Sequence, residues 1–207
     1  VTVTSSGAAY GYYADNPQWI SETDRLRGNV EMPYADHKRQ VEELLAGYRA
    51  QHPDLAQLIL RVGTVIGAGT RNLITNLFEK KRLLAIRGYD SPFVFIWDQD
   101  LVGIISHGVE TGNGGIYNVA GDGCLTMDEL GQLLDKPVLK LPAPLIVAGL
   151  KIGRKLGLTR YAPEQIKFIQ YRPVLDNRRL KEDFGYRPAK TSREAFLHFR
   201  DHGLRRR

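Results

Sequence analysis

The sequence has a single cysteine, Cys124, among 207 residues, so no disulfide can form within the chain. It also shows no secretory signal, and both observations favour a reducing, cytoplasmic location. The longest apolar run, residues 141–150, is much shorter than the roughly 20 residues that a membrane-spanning helix needs. We therefore expect no transmembrane segment.

The sequence has few candidate metal ligands. His37, His52 and His107 are isolated, whereas His198 and His202 stand four residues apart at the end of the chain. Metal sites normally need three or four ligands, and no cysteine or acidic residue is spaced to complete this pair. We expect no metal site.

The sequence also lacks a concentrated basic stripe, although its net charge is +6 and its pI is about 9.4. The basic clusters are scattered at Lys80–Arg82, Arg178–Arg179 and Arg205–Arg207, and no nucleic-acid motif accompanies them. We expect no nucleic-acid partner, because such charge can equally steer anionic small molecules. Lys151, Arg154 and Lys155 follow the apolar run, which leaves peripheral membrane association as an alternative to the expected absence of a membrane partner.

A phosphate-binding glycine turn is not found. Gly-x-Gly occurs at Gly67–Gly69 and Gly121–Gly123, but neither continues to a third glycine or stands at a first strand-to-helix turn. The helix N-terminus that holds a pyrophosphate in dinucleotide folds is therefore not predicted here.

What the sequence does contain is an alternation of strand and helix patterns, which favours a parallel α/β layer. Hydrophobic residues make up 43% and charged residues 25%, as in globular domains. We predict strands at 1–4, 58–62, 93–96 and 117–119, and helices at 34–49, 71–81, 100–110 and 127–134. The composition changes after Pro137, which divides the chain into a region 1–136 and a smaller lobe 137–207.

Tyr34 and Lys38 form the first chemical motif. Of ten tyrosines, only Tyr34 and Tyr186 have lysine four residues later, and Pro188 interrupts the second instance. On a helix, residues i and i+4 are neighbours, so the Tyr34 phenol and the Lys38 ammonium should meet. A free phenol is a poor base at neutral pH, and a nearby positive charge favours its ionised form.

The segment Ser5-Ser6-Gly7-Ala8-Ala9-Tyr10-Gly11, read together with Tyr34 and Lys38, resembles the catalytic core of extended short-chain dehydrogenases of the NAD-dependent epimerase/dehydratase family. The resemblance continues in Leu60–Gly69, with Val62 in place of proline and Thr64 in place of asparagine, and in Phe93–Leu101, where Asp100 is the expected helix cap. Ile116–Gly121 and Asp176–Pro188 are similar to later family segments.

The resemblance implies a fold and a set of site residues. The fold is the second half of a Rossmann-like parallel sheet with helices, plus a small C-terminal substrate lobe. The implied catalytic residues are Ser6, Tyr34 and Lys38. The implied cofactor-binding residues, for NAD or NADP, are Tyr34, Lys38, Val62 and Gly63; the implied substrate-binding residues are Ser6, Thr64 and Arg172.

The resemblance also implies an activity: hydride transfer between the cofactor and a sugar nucleotide or a related carbonyl or alcohol substrate, in a homodimer. Ser91-Pro92 and Arg172-Pro173-Val174 depart from the arginine motifs of sugar-nucleotide members, so the substrate stays open. Because the glycine-rich turn does not precede Val1, we expect the 207 residues alone to bind NAD(P) weakly or not at all and to be inactive. The alternative function is a truncated, non-catalytic binding or assembly module of the same fold.

Overall fold

The computed structural model of the protein describes residues 1–158 and 162–204. The strands are β1 (Thr2–Ser6), β2 (Leu58–Val62), β3 (Thr64–Ile66), β4 (Leu83–Ile86), β5 (Phe95–Trp97), β6 (Gly115–Val119) and β7 (Val138–Leu141). The helices are α1 (Pro33–Gln51), α2 (Thr75–Phe78), α3 (Asp98–Thr111), α4 (Met127–Leu134), α5 (Ala143–Lys155), α6 (Ile166–Gln170), α7 (Arg178–Glu182) and α8 (Ser192–His202). Short 3₁₀ turns occupy Gly7–Tyr10 and Pro163–Gln165.

All strand pairs in the described sheets are parallel, as the alternation of elements predicts. The largest sheet has the order β1-β2-β6, and the other two pair β3 with β5 and β4 with β7. Strand β2 is central and all five of its residues are buried. A parallel strand covered on both faces needs a continuous apolar run, which Leu58-Ile59-Leu60 supplies and Arg61 interrupts.

Local sequence signals explain where several helices begin. Helix α1 starts at Pro33, whose missing backbone N–H costs nothing in the first turn. In α4, the Thr126 hydroxyl accepts from the Glu129 backbone N–H, and the Glu129 carboxylate accepts from the Thr126 backbone N–H. Thr191 and Glu194 form the same capping box at α8.

The predicted element positions need some corrections. The segment predicted as a helix over 71–81 contains only one helical turn, α2, and the sequence does not predict β3, β4 and β7. The strand predicted at 93–96 lies at 95–97, because Phe93 instead forms an isolated antiparallel bridge with Leu125. These strands have three or four residues each, which is too short for an alternation pattern to stand out.

Asp100 does not cap its helix, in contrast to the prediction. It lies in the first turn of α3 and is buried, and its carboxylate accepts hydrogen bonds from the backbone N–H groups of Ala189 (2.8 Å) and Lys190 (3.2 Å). Asp100 therefore holds the segment before α8 against the first turn of α3. Its role is structural.

The largest apolar cluster joins the middle of the chain to its last helix. Phe78, Phe93 and Phe95 pack against Phe196 and Phe199 of α8. Strand β7 likewise pairs with β4, so two elements after residue 137 complete structure formed before it. The division into regions 1–136 and 137–207 stays a prediction.

Two expectations from composition concern the whole chain. Within residues 1–158 and 162–204, no helix combines the length and apolar character required to cross a bilayer. The terminal cluster Arg205–Arg207 lies outside the described residues.

Candidate active site

The first part of the candidate site is the carboxyl edge of the three-stranded sheet. Ser6 at the end of β1 is in register with Val62 at the end of β2, which is in register with Val119 at the end of β6. Parallel strands of an open α/β sheet bind ligands outside their carboxyl ends. Ser6 and Val62, two of the predicted site residues, are thus adjacent at this edge.

Ser6 ends β1 and begins the turn that follows. Its hydroxyl oxygen accepts a hydrogen bond from the Ala8 backbone N–H at 3.2 Å, which starts the 3₁₀ turn Gly7–Tyr10. The turn closes at Gly11, which has φ = 83° and where a β-carbon would collide with the carbonyl oxygen of Gly28. Only glycine fits there. The Ser6 side chain is half-buried and keeps its own proton available to donate to a ligand.

Tyr34 and Lys38 come together on the first two turns of α1. The Lys38 ammonium lies 5.8 Å from the centroid of the Tyr34 ring and donates a hydrogen bond to the Thr4 carbonyl oxygen at 2.9 Å. The second contact ties the lysine to β1, two residues before Ser6. Tyr34 is 61% exposed, so its ring is accessible to a ligand at this edge of the sheet.

The chain after β2 provides the remaining predicted contacts of this edge. The Gly63 N–H donates to the Val119 carbonyl oxygen at 2.9 Å, and the Thr64 N–H donates to the Val94 carbonyl oxygen at 3.1 Å. At Gly63 the chain therefore stops pairing with β6, and β3, which begins at Thr64, pairs with β5. A β-carbon at Gly63 would stand 3.1 Å from a Val94 methyl group, so the close approach favours glycine.

A buried ion pair fixes α1 against the sheet. The Arg61 guanidinium on β2 donates to Glu42 through Nη2 (2.8 Å) and Nε (2.9 Å), and both side chains are at most 6% exposed. The Ser5 hydroxyl donates a further, short hydrogen bond to Glu42. Burial lowers the pKa of Arg61, but the hydrogen bonds and charge of Glu42 outweigh this effect and raise it.

The same guanidinium also holds the segment after the 3₁₀ turn. Arg61 Nη1 donates to the Tyr10 hydroxyl oxygen (2.8 Å) and to the Glu22 carbonyl oxygen (3.0 Å). Asn118 on β6 lies within 2.9 Å of the Tyr10 hydroxyl, and its backbone N–H donates to the Glu22 carboxylate at 2.7 Å. Burial raises the pKa of Tyr10, so its phenol stays protonated.

Arg172 lies in a different environment, with no acidic partner among the described residues. Its guanidinium carbon is 3.6 Å from the Phe93 ring centroid and 4.8 Å from that of Phe168. Nη1 donates to the Ser91 carbonyl oxygen at 2.8 Å, whereas Nε and Nη2 are inaccessible to solvent and have no hydrogen-bond partner in the described part of the chain. Burial lowers the pKa of Arg172 to about 9, which still leaves it charged at neutral pH. A buried cation with two unused donors is suited to bind an anion.

Ser91, the residue that accepts from Arg172, has an unusual backbone. Its φ of 27° lies in the left-handed region that non-glycine residues rarely adopt. Both its carbonyl oxygen and its hydroxyl oxygen lie within hydrogen-bond distance of Arg172 Nη1. Strained backbone of this kind is concentrated at ligand sites, so the contact between Ser91 and Arg172 belongs to the candidate site.

Tyr12 lies close to elements that carry Arg172 and the Tyr34–Lys38 pair, and it is not among the site residues predicted from the sequence. It packs edge-on against Phe168 with ring centroids 5.4 Å apart and belongs to an apolar cluster with Ala35, the neighbour of Tyr34. Burial raises the pKa of Tyr12 to about 12; the charge of Arg172 acts in the opposite direction, and Tyr34 adds to the increase. Phe168 packs against both Tyr12 and the Arg172 guanidinium, so these two residues belong to the same cluster.

The described residues of the candidate site offer groups that are capable of proton exchange and of anion binding. Ser6 and Tyr34 offer hydroxyl groups, Lys38 offers a cation, and Arg172 offers two unused N–H donors. Within the described ranges, no group of three or more His, Cys, Asp or Glu side chains could hold a metal ion. His198 and His202 instead stack on each other with ring centroids 4.5 Å apart.

A parallel α/β sheet with a tyrosine–lysine helix beside its carboxyl edge defines a Rossmann-like protein with a candidate active site at that edge. A sequence model of the family described as "NAD dependent epimerase/dehydratase family" matches residues 1–120. The chain belongs to this family.

Two kinds of known protein are similar to the chain. An uncharacterized protein of Mycobacterium tuberculosis (strain H37Rv) is 24% identical over 205 residues, which is 99% of this chain and 54% of that protein. The UDP-glucose 4-epimerase of Thermotoga maritima, solved with UDP-glucose, has a TM-score of 0.69 at 18% identity, over 97% of this chain and 62% of that one. The UDP-glucose 4-epimerase of Thermus thermophilus, solved with NAD, has a TM-score of 0.68 at 20% identity, with the same coverage.

These structural likenesses establish the Rossmann-like fold of the chain. The chain spans about half of the length of the curated relatives that it matches, and about three-fifths of the solved structures.

Proposed function

We propose that the chain carries the proton-transfer residues and the substrate-anion site of an NAD(P)-dependent epimerase/dehydratase-type enzyme, acting on a sugar nucleotide or a related carbonyl or alcohol substrate. The observation that carries the proposal is the placement of Tyr34 and Lys38 beside the end of β1, with Lys38 bonded to the Thr4 carbonyl and Ser6 two residues further on. In relation to the family's length, these residues correspond to the part that follows the cofactor's phosphate turn.

Each residue has a role in the proposed chemistry. Tyr34 exchanges a proton with the substrate oxygen as general acid and base, and Ser6 donates a hydrogen bond that orients the same oxygen. Lys38 places a positive charge beside the Tyr34 ring, which stabilises negative charge on the phenol during proton transfer. The buried Tyr12, with its raised pKa, stays neutral and forms an apolar wall of the site.

The residues at the sheet edge fit one end of a nicotinamide cofactor. NAD or NADP, when bound, supplies the hydride chemistry. Lys38 would hold the ribose next to the nicotinamide, and the backbone of Val62 and Gly63 would pass beneath the ring, as in the family. This fit rests on the half-buried position of Lys38 and on Gly63, where a β-carbon would stand 3.1 Å from a Val94 methyl group.

Arg172 is the residue that would bind an anionic substrate such as a nucleoside diphosphate sugar. Its two unpaired donors are already desolvated, so an anion that reaches them gains charge-assisted hydrogen bonds without displacing a protein partner. Thr64, on the strand that follows Gly63, offers a hydroxyl group at a half-buried position for the sugar.

Arg172→Met is expected to remove nucleotide diphosphate binding without destabilising the unliganded protein. Methionine keeps the apolar contacts with Phe93 and Phe168. It loses the Nη1 hydrogen bond to the Ser91 carbonyl oxygen, but this loss is offset because it also removes two buried donors that have no partner in the described part of the chain and that cost free energy. Thermal denaturation with UDP, dTDP and the corresponding nucleosides measures both effects. UDP should raise the Tm of the unmodified protein, and the Met variant should lose this increase.

The matched control is Arg87→Met, which removes the same charge from an exposed position after β4. It should retain the stabilisation by UDP. Equal stabilisation of both variants would show that Arg172 does not bind the diphosphate, and stabilisation by no sugar nucleotide would favour a different carbonyl or alcohol substrate.

The activity itself is tested with the protein together with any sequence that its gene encodes before Val1. Turnover of UDP- or dTDP-sugars in the presence of NAD or NADP supports the proposal. Nucleotide binding without turnover, by a protein that also binds the cofactor, would contradict it.

A second candidate function is a non-catalytic assembly module. It is favoured by the exposed apolar face of α1, where Val41, Leu44 and Tyr48 are 40%, 65% and 56% exposed. This face also supports the expected homodimer, because an unpartnered apolar helix face is suited to pair with a second copy. Sedimentation that shows a dimer, with no turnover by the same preparation, would favour the module.

A further inference from the structure

Helix α5 (Ala143–Lys155) presents a row of apolar side chains to solvent. Leu145 is 57% exposed, Ile152 is 61% exposed and Leu156, just after the helix, is 64% exposed. Together with exposed Gly149, they follow a spacing of four, three and four residues, which places them on one face. We call residues 145, 149, 152 and 156 the outer face of α5. No residue of α5 is buried.

The sequence around this helix carries only positive charge. There is no Asp or Glu between Asp135 and Glu164, whereas six basic residues fall in the interval: Lys136, Lys140, Lys151, Arg154, Lys155 and Arg160. Lys151 and Lys155 each precede a residue of the outer face by one position, about 100° around the helix, so they border the apolar row. A basic amphipathic helix with this arrangement is typical of segments that lie on membrane surfaces.

Three charges of α5 are not used within the protein. Across residues 1–158 and 162–204, Lys151, Arg154 and Lys155 make no ion pair, and each is at an exposed position. Lys140, by contrast, is paired with Asp128 at 2.5 Å. Helix α5 packs only lightly, against the turn Pro163–Gln165 and α6. Its three cations are therefore available to an anionic partner.

We propose that α5 docks the protein peripherally on an anionic lipid surface. The outer face inserts at the boundary between headgroups and acyl chains, and Lys151 and Lys155 bind lipid phosphates at its border. This departs from the sequence-based expectation, which included no membrane partner. It requires no transmembrane segment and does not depend on the proposed enzymatic activity.

A second copy of the chain is a less suitable occupant of the outer face. In a two-fold symmetric contact the same patch faces itself, so the cationic borders of the two helices would come together without any acidic residue of this segment to neutralise them. Three apolar side chains also provide far less than the roughly 800 Å² per partner of a stable interface. A lipid surface offers acyl chains to the apolar face and phosphate groups to the lysines.

The test is flotation of the full chain with phosphatidylcholine vesicles, with and without about 30% phosphatidylglycerol, at low and physiological salt. We expect binding to the anionic vesicles that weakens as salt rises, and much weaker binding to neutral vesicles. Each cation near an anionic surface strengthens partitioning about fivefold. The triple variant Lys151→Glu, Arg154→Glu and Lys155→Glu should therefore bind at least about a hundredfold more weakly.

Two matched controls distinguish binding through α5 from binding that depends only on the total charge or the total exposed apolar surface of the protein. The triple variant Lys80→Glu, Lys81→Glu and Arg82→Glu makes the same charge change at an exposed turn elsewhere and should lose far less binding. Leu145→Ser with Ile152→Ser and Leu156→Ser should abolish binding, whereas Val102→Ser with Val109→Ser on α3 should not. All variants should keep the circular dichroism spectrum and the Tm, because every altered side chain is exposed.

Three results would overturn the proposal. The first is an absence of binding to anionic vesicles at low salt. The second is an equal loss of binding in the two charge-reversed variants, which would mean that only net charge matters. The third is a change of sedimentation coefficient in the α5 serine variant with unchanged vesicle binding, which would identify a second copy as the occupant.

Discussion

Tyr34→Phe is expected to lower kcat by about a thousandfold while leaving the protein folded. Positioned general acid–base catalysis contributes about 10²–10⁴ in rate, and phenylalanine removes the only atom of Tyr34 that can exchange a proton. Because the Tyr34 side chain is 61% exposed and makes no hydrogen bond within the described ranges, its hydroxyl contributes little to stability. Steady-state kinetics with a sugar nucleotide and NAD(P) measures the loss, and thermal denaturation verifies the fold.

Tyr48→Phe is the matched control. Tyr48 lies on the same helix, 14 residues later, and its exposure of 56% is similar to that of Tyr34. We expect wild-type turnover from this variant. A folded Tyr34→Phe enzyme that keeps full activity would remove Tyr34 from the mechanism and, with it, the central argument for the proposed chemistry.

Glu42→Gln is expected to destabilise the protein by about 3–5 kcal/mol, because it leaves the buried Arg61 guanidinium without a counter-charge. Glu42 is the only carboxylate that pairs with Arg61 in the described structure, and it also accepts from the Ser5 hydroxyl. The free energy of unfolding from denaturant titration measures the loss. At neighbouring Glu43, which is exposed and paired with Arg39 at 2.5 Å, the same substitution should cost at most about 1 kcal/mol.

A double variant distinguishes the cost of an unpaired charge from the value of the pair. Glu42→Leu combined with Arg61→Met removes both charges, and such replacements of buried pairs are often neutral or stabilising. We expect the double variant to be more stable than Glu42→Gln. If the Glu42 and Glu43 variants lose equal stability, burial of the Arg61 pair is not what holds α1.

Long elements with strong local signals can be predicted from the sequence. Strand β2 is predicted with its observed limits because Leu58–Leu60 is a continuous apolar run, and α4 because Thr126 and Glu129 form a capping box. The predicted proximity of Tyr34 and Lys38 follows from helical spacing alone, and the structure shows it. The catalytic roles of Ser6, Tyr34 and Lys38 stay predictions.

The rest of the candidate site depends on contacts between distant segments. Tyr12 meets Phe168 across 156 positions, and Arg172 meets Ser91 across 81. The periodic pattern of apolar residues along a sequence cannot predict contacts between such distant positions. Glu42 likewise resembles one more polar residue on the charged face of α1, and only burial opposite Arg61 reveals its function. The one available signal is Arg61 itself, a charge inside an otherwise apolar strand.

The spacing of Tyr34, Lys38 and Glu42 at four-residue intervals has a consequence for the evolution of this chain. The ion pair between Glu42 and Arg61 holds α1 against β2. It therefore fixes the rotation of the preceding helical turns, which carry Tyr34 and Lys38. One inserted or deleted residue between positions 35 and 41 would rotate the Tyr34 ring by about 100° away from the sheet edge. Homologous genes should therefore vary in residue identity at the exposed positions of this stretch, while keeping Lys38 and the length of the stretch unchanged.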